Sequence, residues 1–192
     1  MRLKYSCDLS FAIFLLLILA IPLLIIWSIT CWNMRSNGFF CQTRIGQYGK
    51  PFTIYKLQSL HPQKKTISTW GRFLRATKWD EVPQLFNILK GDMSFVGPRP
   101  DIPGYADRLE GEDRIILQCK PGLTGIASIK YREEEALLAT VQNPLVYNDT
   151  VIWPDKVRIN NWYAQNQSIP LDVKILWYTF WQRDWKGPPV CD

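Results

Sequence analysis

Between Asp8 and Arg35 the chain reads LSFAIFLLLILAIPLLIIWSITCWNM, a run in which nothing ionises except the thiol of Cys31. About 20 such residues, wound as a helix, cross the hydrocarbon core of a bilayer with every backbone polar group bonded internally. The segment is therefore expected to be embedded in a membrane. It is too long for the core of a signal peptide and lacks a small-x-small cleavage site, so removal is not expected. Pro22 falls near its middle, where a proline deletes one helical hydrogen bond and crowds the preceding turn, so a kink is expected there. Arg2 and Lys4 precede the run and Arg35 and Arg44 follow it, which gives the positive-inside rule no orientation to choose. A kinked single span and a helix that bends back with both ends on one face remain open.

The whole chain has 192 residues and a net charge of +6. That length suits one modest domain with its own core, and no second independent domain is expected. The charge favours acidic partners: nucleic acid, anionic headgroups or phosphorylated small molecules. An uncharged membrane segment makes nucleic acid the poorest of the three. Cys7, Cys31, Cys41, Cys119 and Cys191 are scattered and odd in number, with no C-x-x-C pair, which argues against a disulfide framework or a zinc site and for reduced thiols. The single histidine, His61, precedes Pro62 in a polar stretch and gives little support for histidine-based catalysis.

After Asn37-Gly38, FFCQTRIG and KPFTIYKLQSL read as strands around a turn built on Gly46 and Gly49, with Phe52 and Ile54 on one face. WGRFLRAT reads as a helix. DEVPQLFNILK reads as another, with Asp80 as its cap, Pro83 in its first turn, Gly91 at its end and Leu85, Phe86, Ile88 and Leu89 as its buried stripe. LTGIASIK suggests a further short strand, and residues 155–166 and 172–185 suggest two late helices. The last carries Trp177, Tyr178, Trp181 and Trp185 among basic residues. Such a helix suits the headgroup level of a bilayer, and it equally suits an aromatic core. The fold class read from these elements is α/β, helix-rich, in a small membrane-associated domain.

Asp80 and Glu81 are adjacent at the start of a helical segment. Neighbours on a helix point about 100° apart, so the two do not form a shared-proton pair by spacing alone. Two chemistries fit: one carboxylate faces a reacting group, or one or both hold a hard cation such as magnesium together with phosphate oxygens. An ionised aspartate can attack phosphorus to give an acyl phosphate. The plain alternative is a pair of acids that caps the helix and opposes its dipole, worth roughly 0.3–1 kcal/mol. Further on, VGPRP holds Arg99 between Pro98 and Pro100, whose fixed φ stiffens a loop suited to aiming a guanidinium fork at a phosphate. Lys56, Arg72, Arg75 and Arg132 add cations that bind phosphate or are simply solvated.

The run RFLRATKWDEVPQLFNILKGDMSFVGPRP, with TRIGQYGKPFTIYKLQSL before it and KPGLTGIASIKYRE after it, resembles the bacterial sugar transferases known as monotopic phosphoglycosyl transferases. The likeness covers most of the chain, from the membrane segment to IPLDVKIL. It implies transfer of a sugar 1-phosphate from a UDP-sugar to undecaprenyl phosphate, with release of UMP, at the cytoplasmic face of the bacterial inner membrane. It implies a ping-pong mechanism with Asp80 as nucleophile, Glu81 as magnesium ligand or helper, and a magnesium site on Asp80 and Glu81. Lys56 matches the lysine of the strand motif, residues 97–100 match the Gly-Pro-Arg-Pro element, and Arg132 is a substrate-phosphate candidate. Lys56, Arg72, Arg75, Pro98, Arg99 and Arg132 thus make up the expected substrate-binding set.

The resemblance also implies a re-entrant helix broken at Pro22 in residues 1–35, and a cytoplasmic catalytic domain with amphipathic interfacial helices in 36–192. Expected partners are the two substrates, inner-membrane lipids and downstream glycosyltransferases, with no nucleic acid. Some positions depart from the family pattern. Ile21 stands where a serine commonly precedes the proline, Gln58 replaces a basic residue, Asn160 replaces an aspartate near Tyr163, and GIASI replaces G-W-A-Q-V. The rival reading from another class is a non-catalytic membrane-anchored scaffold of the same fold. Loss of the two carboxylates would favour it, and they are present.

Overall fold

The computed structural model describes residues 2–63 and 66–189. Cys191 lies outside them, and no disulfide joins the four described cysteines. The chain divides into two compact units, Met1–Arg44 with Pro51–Met93, and Ile45–Lys50 with Ser94–Asp192.

The first unit begins with α1, Arg2–Met34, which is helical throughout and contains Pro22. At 1.5 Å per residue its 33 residues reach about 50 Å, more than the roughly 30 Å of a hydrocarbon core. Only 6% of its most apolar stretch is buried, which separates it from the core helix of a soluble protein. Leu17, Ile21, Leu24 and Ile25 are bare, while Lys4 near the start and Thr30 and Met34 near the end are buried. The last turns are tied down by polar contacts. Trp70 Nε1 donates to Thr30 Oγ1 at 3.0 Å, Ser68 Oγ donates to Asn33 Oδ1 at 2.9 Å, and Trp27 Nε1 donates to the Asn37 carbonyl at 2.9 Å.

Strands β1, Phe39–Ile45, and β2, Pro51–Leu57, form a two-stranded sheet. The expected turn between them is present, with Gly49 at φ +75°. Helix α2, Thr69–Thr77, is capped by Ser68, whose Oγ accepts from the Gly71 amide at 3.0 Å. Gly71 has no room for a side chain, since a Cβ there would stand 2.0 Å from the Ser59 carbonyl. That closeness seats α2 on the chain leaving β2.

The segment expected as one helix over 80–90 is two elements. A 3₁₀ turn spans Trp79–Gln84, and α3 follows at Leu85–Lys90, ended by Gly91 at φ +82°. Asp80 is not a cap: Lys78 precedes the turn in the left-handed region at φ +59°, and no side chain caps it. A tight 3₁₀ turn admits Pro83 while burying Asp80, Pro83 and Gln84. Leu85 and Ile88 are buried as expected, whereas Phe86 is exposed and the buried position beside it belongs to Asn87. The Asn87 amide clamps α3 to β2. Nδ2 donates to the Thr53 carbonyl at 2.7 Å, and Oδ1 accepts from the Tyr55 amide at 3.1 Å.

In the second unit β3, Ser94–Val96, pairs in parallel with β4, Gly122–Thr124, in the register Ser94 to Gly122 and Val96 to Thr124. Gly97, Gly122 and Gly125 meet backbone to backbone: a Cβ on Gly122 would lie 2.1 Å from the Gly97 nitrogen, and one on Gly125 2.4 Å from the Gly97 carbonyl oxygen. The strand expected in LTGIASIK stops at Thr124, and the rest is helix α4, Ile126–Lys130. Residues 134–152, for which no element is expected from sequence, form α5, Glu134–Thr140, α6, Pro144–Tyr147, and a π-helical turn, Asn148–Ile152.

The two late helices are α7, Trp153–Asn166, and α8, Ile169–Phe180. The second ends before 185, where Gln182 takes φ +49° and the Arg132 guanidinium donates to the carbonyls of Gln182 and Arg183 at 2.8 and 3.3 Å. Its aromatic residues divide between surface and interior. Trp177, Phe180 and Trp181 are exposed, while Trp185 is buried against Tyr178, with ring centroids 5.2 Å apart. Between α7 and α8 the buried Tyr163 hydroxyl donates to Asp172 Oδ1 at 2.6 Å.

Asn87→Ala is expected to leave the Thr53 carbonyl and the Tyr55 amide without partners and to cost about 2–4 kcal/mol of unfolding free energy. Denaturation of the detergent-solubilised protein checks this, and a midpoint equal to wild type contradicts it.

Candidate active site

The first unit brings four of the expected site residues into one electrostatic neighbourhood. Asp80 and Glu81 sit at the start of the 3₁₀ turn, Lys56 comes from β2, and Arg75 comes from α2. Lys56 Nζ donates to Glu81 Oε1 at 2.9 Å, with side chains 19% and 12% exposed. A pair so shielded is screened less than a surface ion pair. It also fixes one oxygen of Glu81, and with it the direction of that carboxylate.

Asp80 is treated differently. It is 8% exposed, and its Oδ1 is buried with no hydrogen-bond partner. Burial pushes the Asp80 carboxyl above its ordinary range and the Glu81 charge adds to that, while Lys56, Lys78 and Arg75 pull it back. A buried carboxylate oxygen without a donor is costly in a finished fold, and such groups concentrate where a ligand is to bind.

The remaining site candidates are placed as follows. Arg75 Nε donates to Ser59 Oγ at 3.0 Å, and Arg72 Nη2 donates to Thr69 Oγ1 at 3.3 Å, within its own helix. Pro98, Arg99 and Arg132 belong to the second unit. Arg99 is exposed between the buried Pro98 and Pro100. The loop there borders a hollow of about 20 Å³, room for a water molecule and no more. Arg132 is engaged with the end of α8. Sequence reasoning missed Lys78 and Asn87. Nothing in a lysine announces a left-handed residue, and an asparagine within an apolar stripe reads as a mismatch until its two backbone partners are visible.

The carboxylate pair fits one part of a magnesium site. Asp80 and Glu81 offer hard carboxylate oxygens, one of them unpartnered, and magnesium is commonly held by one or two carboxylates with substrate phosphates completing its shell. Among the described residues no group of three or more His, Cys, Asp or Glu side chains could hold a metal. An ion held by Asp80 and Glu81 would leave positions in its shell for substrate phosphate oxygens.

A family model described as bacterial sugar transferase matches residues 1–184. The chain is similar to the uncharacterized sugar transferase EpsL of Bacillus subtilis, 35% identical over 189 residues, which is 93% of this chain and 86% of the relative. It is similar to the undecaprenyl-phosphate galactose phosphotransferase of Salmonella typhimurium, 29% identical over 92% of this chain and 39% of the relative. It is also similar to the UDP-glucose:undecaprenyl-phosphate glucose-1-phosphate transferase of Klebsiella pneumoniae, 33% identical over 86% of this chain and 37% of the relative. The chain thus spans well under half of the last two proteins.

The raised Asp80 carboxyl makes a prediction whose sign can be worked out. A group that holds its proton more tightly when folded adds stability below its unfolded value, and that contribution is lost as pH rises through the folded value. At neutral pH Asp80 is therefore a destabilising buried charge. Asp80→Asn is expected to raise the melting temperature by about 2–4 °C at pH 7.5, near 1 kcal/mol for a chain this size. The gain should shrink as the pH is lowered through the range where Asp80 takes up its proton. Calorimetric or fluorescence melting across pH checks it, and a variant less stable than wild type at pH 7.5 contradicts it.

Proposed function

The chain belongs to the bacterial sugar transferase family, and from that premise we propose that it moves a sugar 1-phosphate from a UDP-sugar to undecaprenyl phosphate. The observation that carries this reading is the buried, unpartnered Oδ1 of Asp80 beside a Glu81 already held by Lys56. One carboxylate is anchored, and the other has an oxygen free of hydrogen bonds. That division suits a nucleophile and a supporting group better than two equivalent caps.

In the proposed reaction an Asp80 carboxylate oxygen attacks the phosphorus that carries the sugar. The bond from that phosphorus to the bridging oxygen breaks, and UMP leaves with the oxygen and the electron pair. A phosphate oxygen of undecaprenyl phosphate then attacks the same phosphorus and expels Asp80, giving a polyprenyl-diphosphate sugar and restoring the carboxylate. Binding of the first substrate removes the Asp80 side chain further from water, which strengthens every charge interaction in the site. Lys56 holds Glu81 in place, and Arg75 and Lys78 add positive potential around the diphosphate. Asp80 and Glu81 are the residues that would hold magnesium, which when bound would neutralise charge on the diphosphate. Lys56, Arg72, Arg75, Pro98, Arg99 and Arg132 form the proposed substrate-binding set.

The protein is membrane-associated in this reading, with residues 1–35 as a re-entrant helix and 36–192 as the catalytic domain at the cytoplasmic face of the inner membrane. Lys4 near one end of α1 and Thr30 and Met34 near the other are buried, while Ile21, Leu24 and Ile25 around Pro22 are bare, so it is the middle of the helix that suits the hydrocarbon layer. The exposed Trp177, Phe180 and Trp181 of α8 suit the headgroup layer, where indole rings settle. The lipid-linked sugar would pass to downstream glycosyltransferases.

UMP release measured over a panel of UDP-sugars, with undecaprenyl phosphate and with or without magnesium, tests the reaction. Release with at least one sugar, lost on magnesium chelation and reduced by about 10³-fold or more in Asp80→Asn, is expected. No release from any UDP-sugar in a folded preparation would favour the scaffold reading. Membrane-impermeant labelling of single cysteines beside residues 2 and 36 in intact cells tests the topology: protection at both positions is expected, and labelling at residue 2 contradicts it.

A further inference from the structure

A cleft of about 520 Å³ opens in the second unit beside α7, well within the size range of small-molecule sites. Trp153, Arg158, Asn161, Trp162 and Gln165 line it from that helix, and Asp113 lines it from a 3₁₀ segment, Gly111–Gln118. None of these residues belongs to the transfer site described above.

Three features define what such a cleft can hold. The first is an orphan acceptor. Asn161 Nδ2 donates to Asp113 Oδ1 at 2.5 Å, so the amide cannot be turned the other way and its carbonyl oxygen must face elsewhere. That Oδ1 is buried and has no partner. Buried acceptors are nearly always satisfied, and this unsatisfied one belongs to a residue that lines the cleft.

The second feature is the absence of spare positive charge. Arg158 is the cation among the described lining residues, and its charge is already paired: Nε and Nη2 donate to Asp155 Oδ1 at 3.2 and 2.9 Å, and Nη1 donates to the Pro189 carbonyl at 2.8 Å. Asp113 adds a negative charge. A phosphate would meet repulsion without a compensating fork. The third feature is a pair of tryptophans, Trp153 and Trp162, in the same lining, which adds aromatic apolar surface to it.

We propose that this cleft binds a saccharide through its neutral hydroxyls, with one hydroxyl donating to Asn161 Oδ1 and the ring resting on the indoles of Trp153 and Trp162. Pyranose rings combine an apolar C–H face with several hydroxyl donors, which matches the lining. The saccharide can be the hexose of a nucleotide sugar or a free glycan, and the chemistry of recognition is shared. This inference goes beyond the transfer reaction and does not depend on Asp80 being a nucleophile.

The test is saturation-transfer NMR on the full chain in nanodiscs, in an Asp80→Asn background so that no probe is consumed. The probes are the methyl glycosides of glucose, galactose and N-acetylgalactosamine, together with UDP and UDP-glucose. Saturation is expected on the ring protons of at least one saccharide-bearing probe, with binding weakened about fivefold or more by Asn161→Ala and by Trp162→Ala. Asp113 is exposed, so alanine at 161 strands no buried charge. Gln165→Ala, at an exposed position, replaces Trp162→Ala if the latter melts early, and is expected to weaken the same signal. Saturation of methyl glycosides assigns the cleft to free glycans, and saturation of the hexose of UDP-glucose alone assigns it to the donor sugar. The proposal is overturned if no saccharide ring is saturated, if only uracil protons are, or if the signal is indifferent to these variants.

Discussion

The first unit is organised around a carboxylate that the fold does not neutralise. Asp80 is buried with one oxygen lacking a hydrogen-bond partner, a costly arrangement unless something outside the chain completes it. The surrounding structure maintains it. The left-handed Lys78 turns the chain out of α2 and into a tight 3₁₀ turn, Gly71 lets α2 approach the Ser59 carbonyl, and Asn87 locks α3 to β2. Lys56 is carried by that same strand, and its bond to Glu81 therefore depends on the asparagine clamp holding helix and strand in register.

The second unit is built on a different device. Three glycines, Gly97, Gly122 and Gly125, allow backbone segments to touch where no side chain fits, and β3 and β4 are short parallel strands set by that contact. The Gly-Pro-Arg-Pro corner follows directly, so the exposed Arg99 is mounted on a rigid loop. Around it, polar bonds do the work usually left to apolar packing: Tyr163 holds Asp172 and the Val96 carbonyl, and Asp155 gathers Lys130, Tyr131 and Arg158. Burial opposes ionisation of Asp155, yet those three donors outweigh it and keep its carboxyl below the usual range.

How much of this was legible in the sequence follows from the range over which each residue acts. The apolar run, the Gly91 stop, the turn at Gly46 and Gly49, and the adjacency of Asp80 and Glu81 are local signals, and the structure has each of them. Lys56 and Glu81 lie 25 positions apart, so their ion pair has no local signature. Lys78 is an ordinary exposed cation until its φ is known. IASIK alternates like a strand but follows Gly125 into a helix, because the parallel pairing ends at Thr124 and the glycine contact turns the chain. Phe86 was misplaced for a related reason: once 79–84 is a 3₁₀ turn, the phase of α3 shifts and Asn87 takes the inner position. The acceptor of Asn161 depends on an amide orientation that only its partner Asp113 reveals.

The central claim is that the open oxygen of Asp80 forms a covalent bond to phosphorus. Intact-protein mass spectrometry after mixing with a UDP-sugar, in the absence of any lipid acceptor, addresses it directly. The account predicts one added sugar phosphate, mapped by peptide fragmentation to residue 80 and discharged when undecaprenyl phosphate is supplied. A preparation that turns over with lipid present yet carries no adduct on residue 80 without it would contradict the account.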